Sequence, residues 1–307
     1  MKINFYNSRK KLYRILCLLS ALFIFTPTIA KADTGNLAPR LMIDFNNNGE
    51  FPNNFRKMSD KIYPTNNIPS IKGLDKLNAS GSAEFTNNSL DIIKASIGKK
   101  FVVVDLRQES HGFLNGSAIS WLGLKNDLNK GLSQPEVVKK EDDLLGSIKL
   151  NTPIKPFNSP GSIVANSVSN EEKLVKSKGL DYIRFAVTDG ESPTDDVVDD
   201  FVKYVVSLPS DTWLHFHCKE GDGRTTTFLA MYDMMKNSKD VSFDDIIFRQ
   251  FLLGRENLLQ HPLTTPTKRE SLLTNFYKYT KENNDNFKTS WTDWLKSNNI
   301  PLYLGCN

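Results

Sequence analysis

The chain has 307 residues, 39% apolar and 24% charged, enough for one large globular domain or two modest ones and too balanced for a disordered polymer. Its formal net charge of +4 originates at the N-terminus, where residues 1–32 carry six Lys/Arg (Lys2, Arg9, Lys10, Lys11, Arg14, Lys31) and no acid. Without them 33 basic residues face 35 acidic ones, a net of −2, which argues against a general attraction to nucleic acid or to an anionic membrane.

The first segment reads as an export leader. A basic stretch, Arg9 to Arg14, precedes an apolar run of eleven residues from Ile15 to Phe25, short for a membrane-spanning helix. Ala30-Lys31-Ala32 then presents small residues where a signal peptidase reads them, so a signal peptide over residues 1–32 is expected, cut after Ala32. An uncleaved anchor is the alternative. The mature chain is then secreted or periplasmic, with no stable membrane insertion. Cys17 follows Leu16 inside the run, a poor fit to a lipoprotein, and leaves with it. Cys218 and Cys306 remain, too few for a disulfide framework, and whether they pair is open.

Residues 33–72 form an N-terminal extension rich in Asn, Pro and Gly. Asp44 to Glu50 superficially suggests a calcium loop, but its spacing and the missing downstream Glu point to Asn-rich turns. Beyond Ser80 to Phe85 a helix is expected, with Ser89 as N-cap and Ile92, Ile93 and Ile97 on its apolar side. A buried strand, Phe101 to Val104, runs into Asp105-Leu106-Arg107-Gln108-Glu109-Ser110-His111-Gly112. Polar residues crowded after a buried strand of an α/β sheet are where ligands are met. A structural ion pair between Arg107 and Glu109 is the competing reading. Residues 113–170 have mixed charge, short apolar pairs and no long helical period, so they read as a small, partly β insertion.

Residues 171–179 look helical, and Asp181 to Val187 reads as a strand feeding the loop Thr188 to Pro193. A helix then starts, with Ser192 as N-cap, Pro193 at its first position and Asp195 closing a capping box. Val197, Val198, Phe201, Val202 and Val205 give it an apolar face. Trp213 to His217 alternates as a strand, and Phe228, Leu229, Met231, Tyr232 and Met235 give the following helix one broad apolar face. Between them, the loop from Cys218 to Arg224 contains Gly221 and Gly223. A Gly-containing turn feeding a helix N-terminus aims N–H groups at one point and favours an anion there. Those dipoles and a nearby guanidinium lower a thiol's pKa from about 8.5. Arg224 can also grip two phosphate oxygens in a planar fork, and the Thr225 hydroxyl can donate to the sulfur. Two amphipathic helices, Phe243 to Leu253 and Lys268 to Tyr279, and a short last one from Ser290 complete the chain. The aromatic stripe Phe276, Tyr277, Tyr279, Trp291 and Trp294 reads as core, and Arg249, Arg255, Lys268 and Arg269 are candidates for a basic rim.

His217-Cys218-x-x-Gly221-x-Gly223-Arg224-Thr225, on a strand-loop-helix, resembles the phosphate-binding signature of the cysteine-dependent protein tyrosine phosphatase superfamily. Ser80 to Phe85 and the Asp105 to Gly112 segment resemble its phytase-like branch, the inositol polyphosphate phosphatases. The resemblance implies an α/β fold, a central mixed sheet flanked by helices with a small partly β accessory domain. It places the phosphatase domain at residues 73–305, with 113–170 as the β-rich insertion. It implies a phosphoric monoester hydrolase acting through a phosphocysteine on inositol polyphosphates.

In that reading Cys218 is the nucleophile and Arg224 holds the phosphoryl oxygens, while Thr225 steadies the thiolate. His217 orients the loop, and Asp189 is the general acid. The acid loop departs from the Trp-Pro-Asp form, having no Trp, and Glu191 and Asp195 compete for the role. Lys219, Glu220, Gly221, Asp222 and Gly223 bind substrate within the loop, and Arg107, His111, Lys268 and Arg269 around its mouth. Glu220 and Asp222 are unexpected for a polyanion unless their side chains point away. No metal or cofactor is expected, because His111, His215, His217 and His261 lack ligand spacing. A secreted tyrosine phosphatase or host-directed effector acting on phosphoproteins is the alternative, and a non-catalytic phosphoinositide-binding module the less favoured one.

Overall fold

The computed structural model describes residues 38–304 other than 46–48, 64–66, 124 and 260–266. The expected leader, His261 and Cys306 lie outside the described residues. The main sheet contains β2 (Arg56–Lys57), β3 (Ala79–Ser82), β4 (Phe101–Arg107), β10 (Asp181–Val187) and β11 (Trp213–His217), in the order β10-β4-β11-β3-β2. The first four strands of that order run parallel and β2 antiparallel, so the sheet is mixed. A parallel strand covered on both faces reads as a continuous apolar run, as β4 does.

Alternate residues of β4 serve the two faces. Val102, Val104 and Leu106 join the core beneath α4 (Asp195–Ser207), α5 (Gly223–Asn237), α6 (Phe243–Gly254), α7 (Lys268–Glu282) and α8 (Trp291–Ser297). Phe101 and Val103 join the core beneath α1 (Asn87–Ile97) and α3 (Glu171–Ser177). The aromatic stripe is core: Phe276, Tyr279 and Trp291 are buried, and the Trp291 ring lies 5.6 Å from those of Phe276 and Trp294.

A second, antiparallel sheet, in the order β1-β6-β5-β9, combines β1 (Arg40–Phe45), β5 (His111–Leu114), β6 (Ser117–Leu122) and β9 (Val168–Ser169). Two short strands, β7 (Pro153–Ile154) and β8 (Ile163–Val164), pair separately. The β1–β6 register slips between Ile43 and Phe45, leaving Asp44 as the extra residue of a bulge. A bulge re-aims its side chain, and here Asp44 turns inward and is buried.

The region 113–170 also carries a helix, α2 (Gln134–Gly146), that its pattern does not display. Its buried stripe is Val137, Glu141 and Leu145, at i, i+4 and i+8. The central member is a carboxylate, so the apolar period is broken at its midpoint.

Two N-caps differ from expectation. Thr86, not Ser89, caps α1, and its hydroxyl accepts from the Ser89 N–H at 3.1 Å. Thr194, not Ser192, precedes α4. Asp195 does not close a capping box; its carboxylate accepts from the Trp291 indole at 2.7 Å and from the Tyr303 N–H, tying the C-terminal segment to the start of α4. At α8 the expected Ser290 cap is present, accepting from the Asp293 N–H. Helix α5 is buried from Arg224 to Met234 rather than on one face, and Met235 is only half-buried. Among the described residues no helix is long and apolar enough to cross a membrane.

Candidate active site

Strand β11 ends at His217, and α5 begins at Gly223, so Cys218 to Asp222 forms the turn between them. The turn is pressed against the end of β3. Gly221 has φ +77, and a Cβ there would lie 2.4 Å from the Ala83 nitrogen, so only glycine fits. A Cβ on Gly223 would meet the Arg269 guanidinium at 2.9 Å, which brings Arg269 to the rim of the turn.

Asp222 precedes α5 without capping it; its carboxylate instead accepts from Asn54 Nδ2 at 2.7 Å, and the same amide donates to the Glu220 carbonyl at 2.8 Å. The first-turn N–H groups of α5 are thus left without a side-chain cap, as an anion site requires. The Asp222 carboxylate is thus committed to Asn54, and Glu220 is open to solvent.

Cys218 is buried at the base of the turn, and the Thr225 hydroxyl donates to its sulfur at 3.2 Å. Three guanidiniums, those of Arg224, Arg56 and Arg269, lie close enough to Cys218 to interact with it electrostatically. Arg224 is held from two sides. NH1 and NH2 donate to Glu109 at 2.7 and 3.0 Å, NH1 also donates to the Val187 carbonyl at 3.0 Å, and NH2 meets Asp189 Oδ1 at 3.0 Å. Burial would raise the Glu109 carboxyl, but Arg224 and Arg107 outweigh it and hold Glu109 well below the usual carboxylate range. Burial likewise opposes the charge of Arg224, and Glu109 and Cys218 keep it firmly protonated.

Asp189 sits on an exposed loop, its other oxygen accepting from Asn126 at 3.1 Å. Glu191, two residues on, pairs with Lys130 at 3.0 Å. Asp195 is committed to Trp291 and Tyr303. Of the three carboxylates weighed for an acid role, Asp189 is the one seated on Arg224.

The rim differs from expectation. Arg107 is fully buried and bound to Glu84, Glu109 and Asp44 at 2.6, 2.9 and 3.3 Å. His111 is equally buried, its ring against Asp105, Glu171 and Glu141 at 3.2–3.4 Å. Neither lines the mouth, because carboxylates from β1, the segment after β3, α2 and α3 close over them. Arg249 is also internal, paired with Asp233. Lys219 reaches Asp44 at 2.9 Å, and Arg269 meets Glu256 at 3.4 Å. Lys268 is exposed, 4.3 Å over the Tyr303 ring.

His217 Nε2–H donates to the Glu171 carboxylate at 2.7 Å, which fixes the residue before Cys218. Burial opposes the charge of His111, but Asp105 and Glu141 outweigh it and push its pKa up to about 10. Burial would raise Glu171, whereas His217 and the histidine hydrogen bonds bring it to about 2. Ligand atoms of Asp105, Glu171 and His217 lie within 4.8 Å of one another, a metal-like grouping. Arg184 and His111 already supply cations to the same carboxylates, Arg184 at 3.1 Å from Asp105.

Sequence reasoning missed Arg56, Asp44, Glu109 as the partner of Arg224, and Glu171. Arg56 lies behind the turn and donates to the Gly221 carbonyl at 3.0 Å and to Thr226 at 2.9 Å; burial lowers its pKa to about 10. It comes from the Asn-, Pro- and Gly-rich N-terminal extension, and no local pattern marks it.

A family model of protein-tyrosine-phosphatase-like phytases, described by inositol hexakisphosphate, matches residues 135–236. The chain is 32% identical to a PTP-like phytase structure from Bdellovibrio bacteriovorus, with TM-score 0.73, covering 85% of this chain and 96% of that one. A tandemly repeated PTP-like phytase from Mitsuokella multacida is 35% identical, with TM-score 0.77, covering 85% of this chain and 49% of that one. A Mitsuokella multacida PTP-like myo-inositol phosphatase, solved with myo-inositol-(1,3,4,5)-tetrakisphosphate, matches equally well. Among curated proteins, the effector protein hopD2 of Pseudomonas syringae pv. tomato is 29% identical over 243 residues, 72% of this chain and 52% of the effector. The chain spans about half the length of the Mitsuokella proteins and of the effector.

Proposed function

Because the chain belongs to the protein-tyrosine-phosphatase-like phytase family, we propose that it is a cysteine-dependent phosphatase that removes phosphate from inositol polyphosphates. The observation that carries this reading is one constellation at the mouth of one turn: Thr225 donating to the Cys218 sulfur at 3.2 Å, with Asp189 seated on Arg224 at 3.0 Å.

The substrate phosphoryl group displaces Asp189 from the guanidinium edge and takes the uncapped N–H groups of the α5 start. The Cys218 thiolate attacks phosphorus, an S–P bond forms, and the P–O bond breaks with its electron pair passing to the leaving oxygen. Asp189, protonated, supplies the proton that neutralises that oxygen. Arg224, oriented by Glu109, holds the equatorial oxygens as charge spreads over them. Water then attacks the phosphocysteine, Asp189 takes its proton, and the S–P bond breaks to release phosphate and restore the thiolate. His217 and Thr225 keep the sulfur in place, the first through Glu171 and the second directly. Main-chain groups of residues 219–223 face the phosphate, and Arg269 stands at its rim.

The inositol phosphate class is supported by the family description and by the Mitsuokella complex. A phosphoprotein substrate is the second reading, favoured by the similarity to the Pseudomonas effector and by the burial of Arg107 and His111, which takes two cations out of the mouth. The leader-like pattern of residues 1–32 supports export in either case.

Phosphate release from inositol hexakisphosphate and from a phosphotyrosine peptide, by wild type and Cys218→Ser, tests this reading. Release from the inositol substrate that disappears in Cys218→Ser is expected. Equal release by both proteins refutes the nucleophile, and release from the peptide alone refutes the substrate class.

A further inference from the structure

The acid loop, residues 188–194, joins β10 to α4; Ser192 and Pro193 are buried, whereas Asp189 and Gly190 at its tip are exposed. Burial therefore does little to hold Asp189 itself where a leaving oxygen will be, and Gly190 beside it has the left-handed φ of +75. Yet Glu191 is tied on two sides. Lys130, from the segment between β6 and α2, reaches it at 3.0 Å. The Tyr303 hydroxyl, from the C-terminal segment, donates to its other oxygen at 3.4 Å. Tyr303 is itself anchored, because its backbone exchanges hydrogen bonds with Asp195 at the start of α4 and Lys268 covers its ring. Asn126, four residues before Lys130, donates to Asp189 itself. Two segments far apart in the chain therefore converge on residues 189–191.

Resting on the phosphatase reading above, we propose that Glu191 is a positioning residue: with Lys130 and Tyr303 it forms a latch that holds the acid loop so that Asp189 can protonate the leaving oxygen. Glu191 never touches substrate; it acts only through Asp189. The hydrogen bond from Lys130 keeps its carboxyl ionised, below the usual range, which suits a latch and not a proton donor. The acid's contribution depends on the leaving group. An inositol oxygen departs as a poor alkoxide and needs the proton, whereas 2,4-dinitrophenolate departs without one.

The test compares kcat/KM, which reports the step that makes the S–P bond, for inositol hexakisphosphate and for 2,4-dinitrophenyl phosphate. Wild type, Glu191→Ala, Lys130→Met and Asp189→Asn are measured, together with the Asp189→Asn/Glu191→Ala double variant. For the inositol substrate Glu191→Ala is expected to lower kcat/KM about fivefold and Lys130→Met about two- to threefold, as befits a half-exposed pair. The aryl substrate is expected to be unaffected, and the double variant to be no slower than Asp189→Asn alone. Equal loss on both substrates, or a further loss in the double variant, overturns the latch, since either reports general damage to the fold. A slow Asp189→Asn beside an unimpaired Glu191→Ala also overturns the latch and leaves the acid assignment standing. An unimpaired Asp189→Asn overturns that assignment and the latch with it.

Discussion

Glu109→Gln probes the support of the site with the least change of shape. In the wild type, Glu109 accepts three charge-assisted hydrogen bonds, two from Arg224 at 2.7 and 3.0 Å and one from Arg107 at 2.9 Å, with no solvent access to either oxygen. Glutamine keeps one acceptor oxygen but turns an NH2 group toward a guanidinium that has only donors. One buried guanidinium loses its main counter-charge as a result. Arg107 retains the Asp44 carboxylate and its hydrogen bond to Glu84, so the loss falls on Arg224, which keeps only Val187 and the exposed Asp189. Breaking a buried pair from one side costs about 3–5 kcal/mol. At about 2–4 °C per kcal/mol for a domain of this size, the melting temperature falls by about 6–20 °C. Turnover falls by about 100-fold, because the phosphate cradle loses its fixed orientation. Thermal unfolding with and without 1 M salt, alongside initial rates, checks this. The shift persists in salt, since the pair is sealed from counter-ions. A melting temperature within about 2 °C of wild type, or rates within about threefold, refutes the view that Glu109 fixes Arg224.

Gly221→Ala forces a methyl group into the backbone of β3 at a left-handed φ, so phosphate release is expected to fall by more than about 100-fold with a drop in melting temperature, and wild-type activity in this variant contradicts the tight fit of turn to strand. Glu84 carries the pH prediction. Burial, helped by Asp44, raises its pKa to about 8 even against Arg107, so between about pH 4.5 and 8 the folded chain binds a proton that the unfolded chain has lost. Stability from this group therefore declines as pH rises through that window and levels off above it. Glu84→Gln, neutral throughout, is expected to flatten that part of the stability–pH curve, measured by denaturant unfolding at pH 5, 7 and 9; an unaltered slope counts against a protonated Glu84.

The strand-loop-helix of the site is legible in the sequence because everything that makes it is local: alternation in β11, glycines where the turn needs them, and a Thr two positions from the second glycine. The β10 strand and the Ser290 cap are legible for the same reason. What was not legible depends on partners far along the chain. Arg107 and His111 carry charge and follow a buried strand, which is what a ligand-binding edge looks like. They are internal because Asp44, Glu141 and Glu171 arrive from 63, 30 and 60 positions away to neutralise them. Helix α2 was hidden for a related reason, since the middle residue of its buried stripe is Glu141, tolerated there only because Arg184 and His111 meet it. The caps at Thr86 and Thr194 show the smaller error of choosing between two hydroxyls a few residues apart.

The bulge at Asp44 bears on the order in which the molecule is assembled. Asp44 and Lys219 are separated by 175 positions, and their contact joins the first described strand to the turn that follows β11. Closing so long a loop is entropically costly until both ends are already presented on formed sheets. During synthesis Asp44 is made early and waits for a docking point that exists only after most of the chain has been translated. The turn therefore reaches its final shape among the last steps of maturation, and a nascent or truncated chain holds the nucleophile without the setting that makes it reactive.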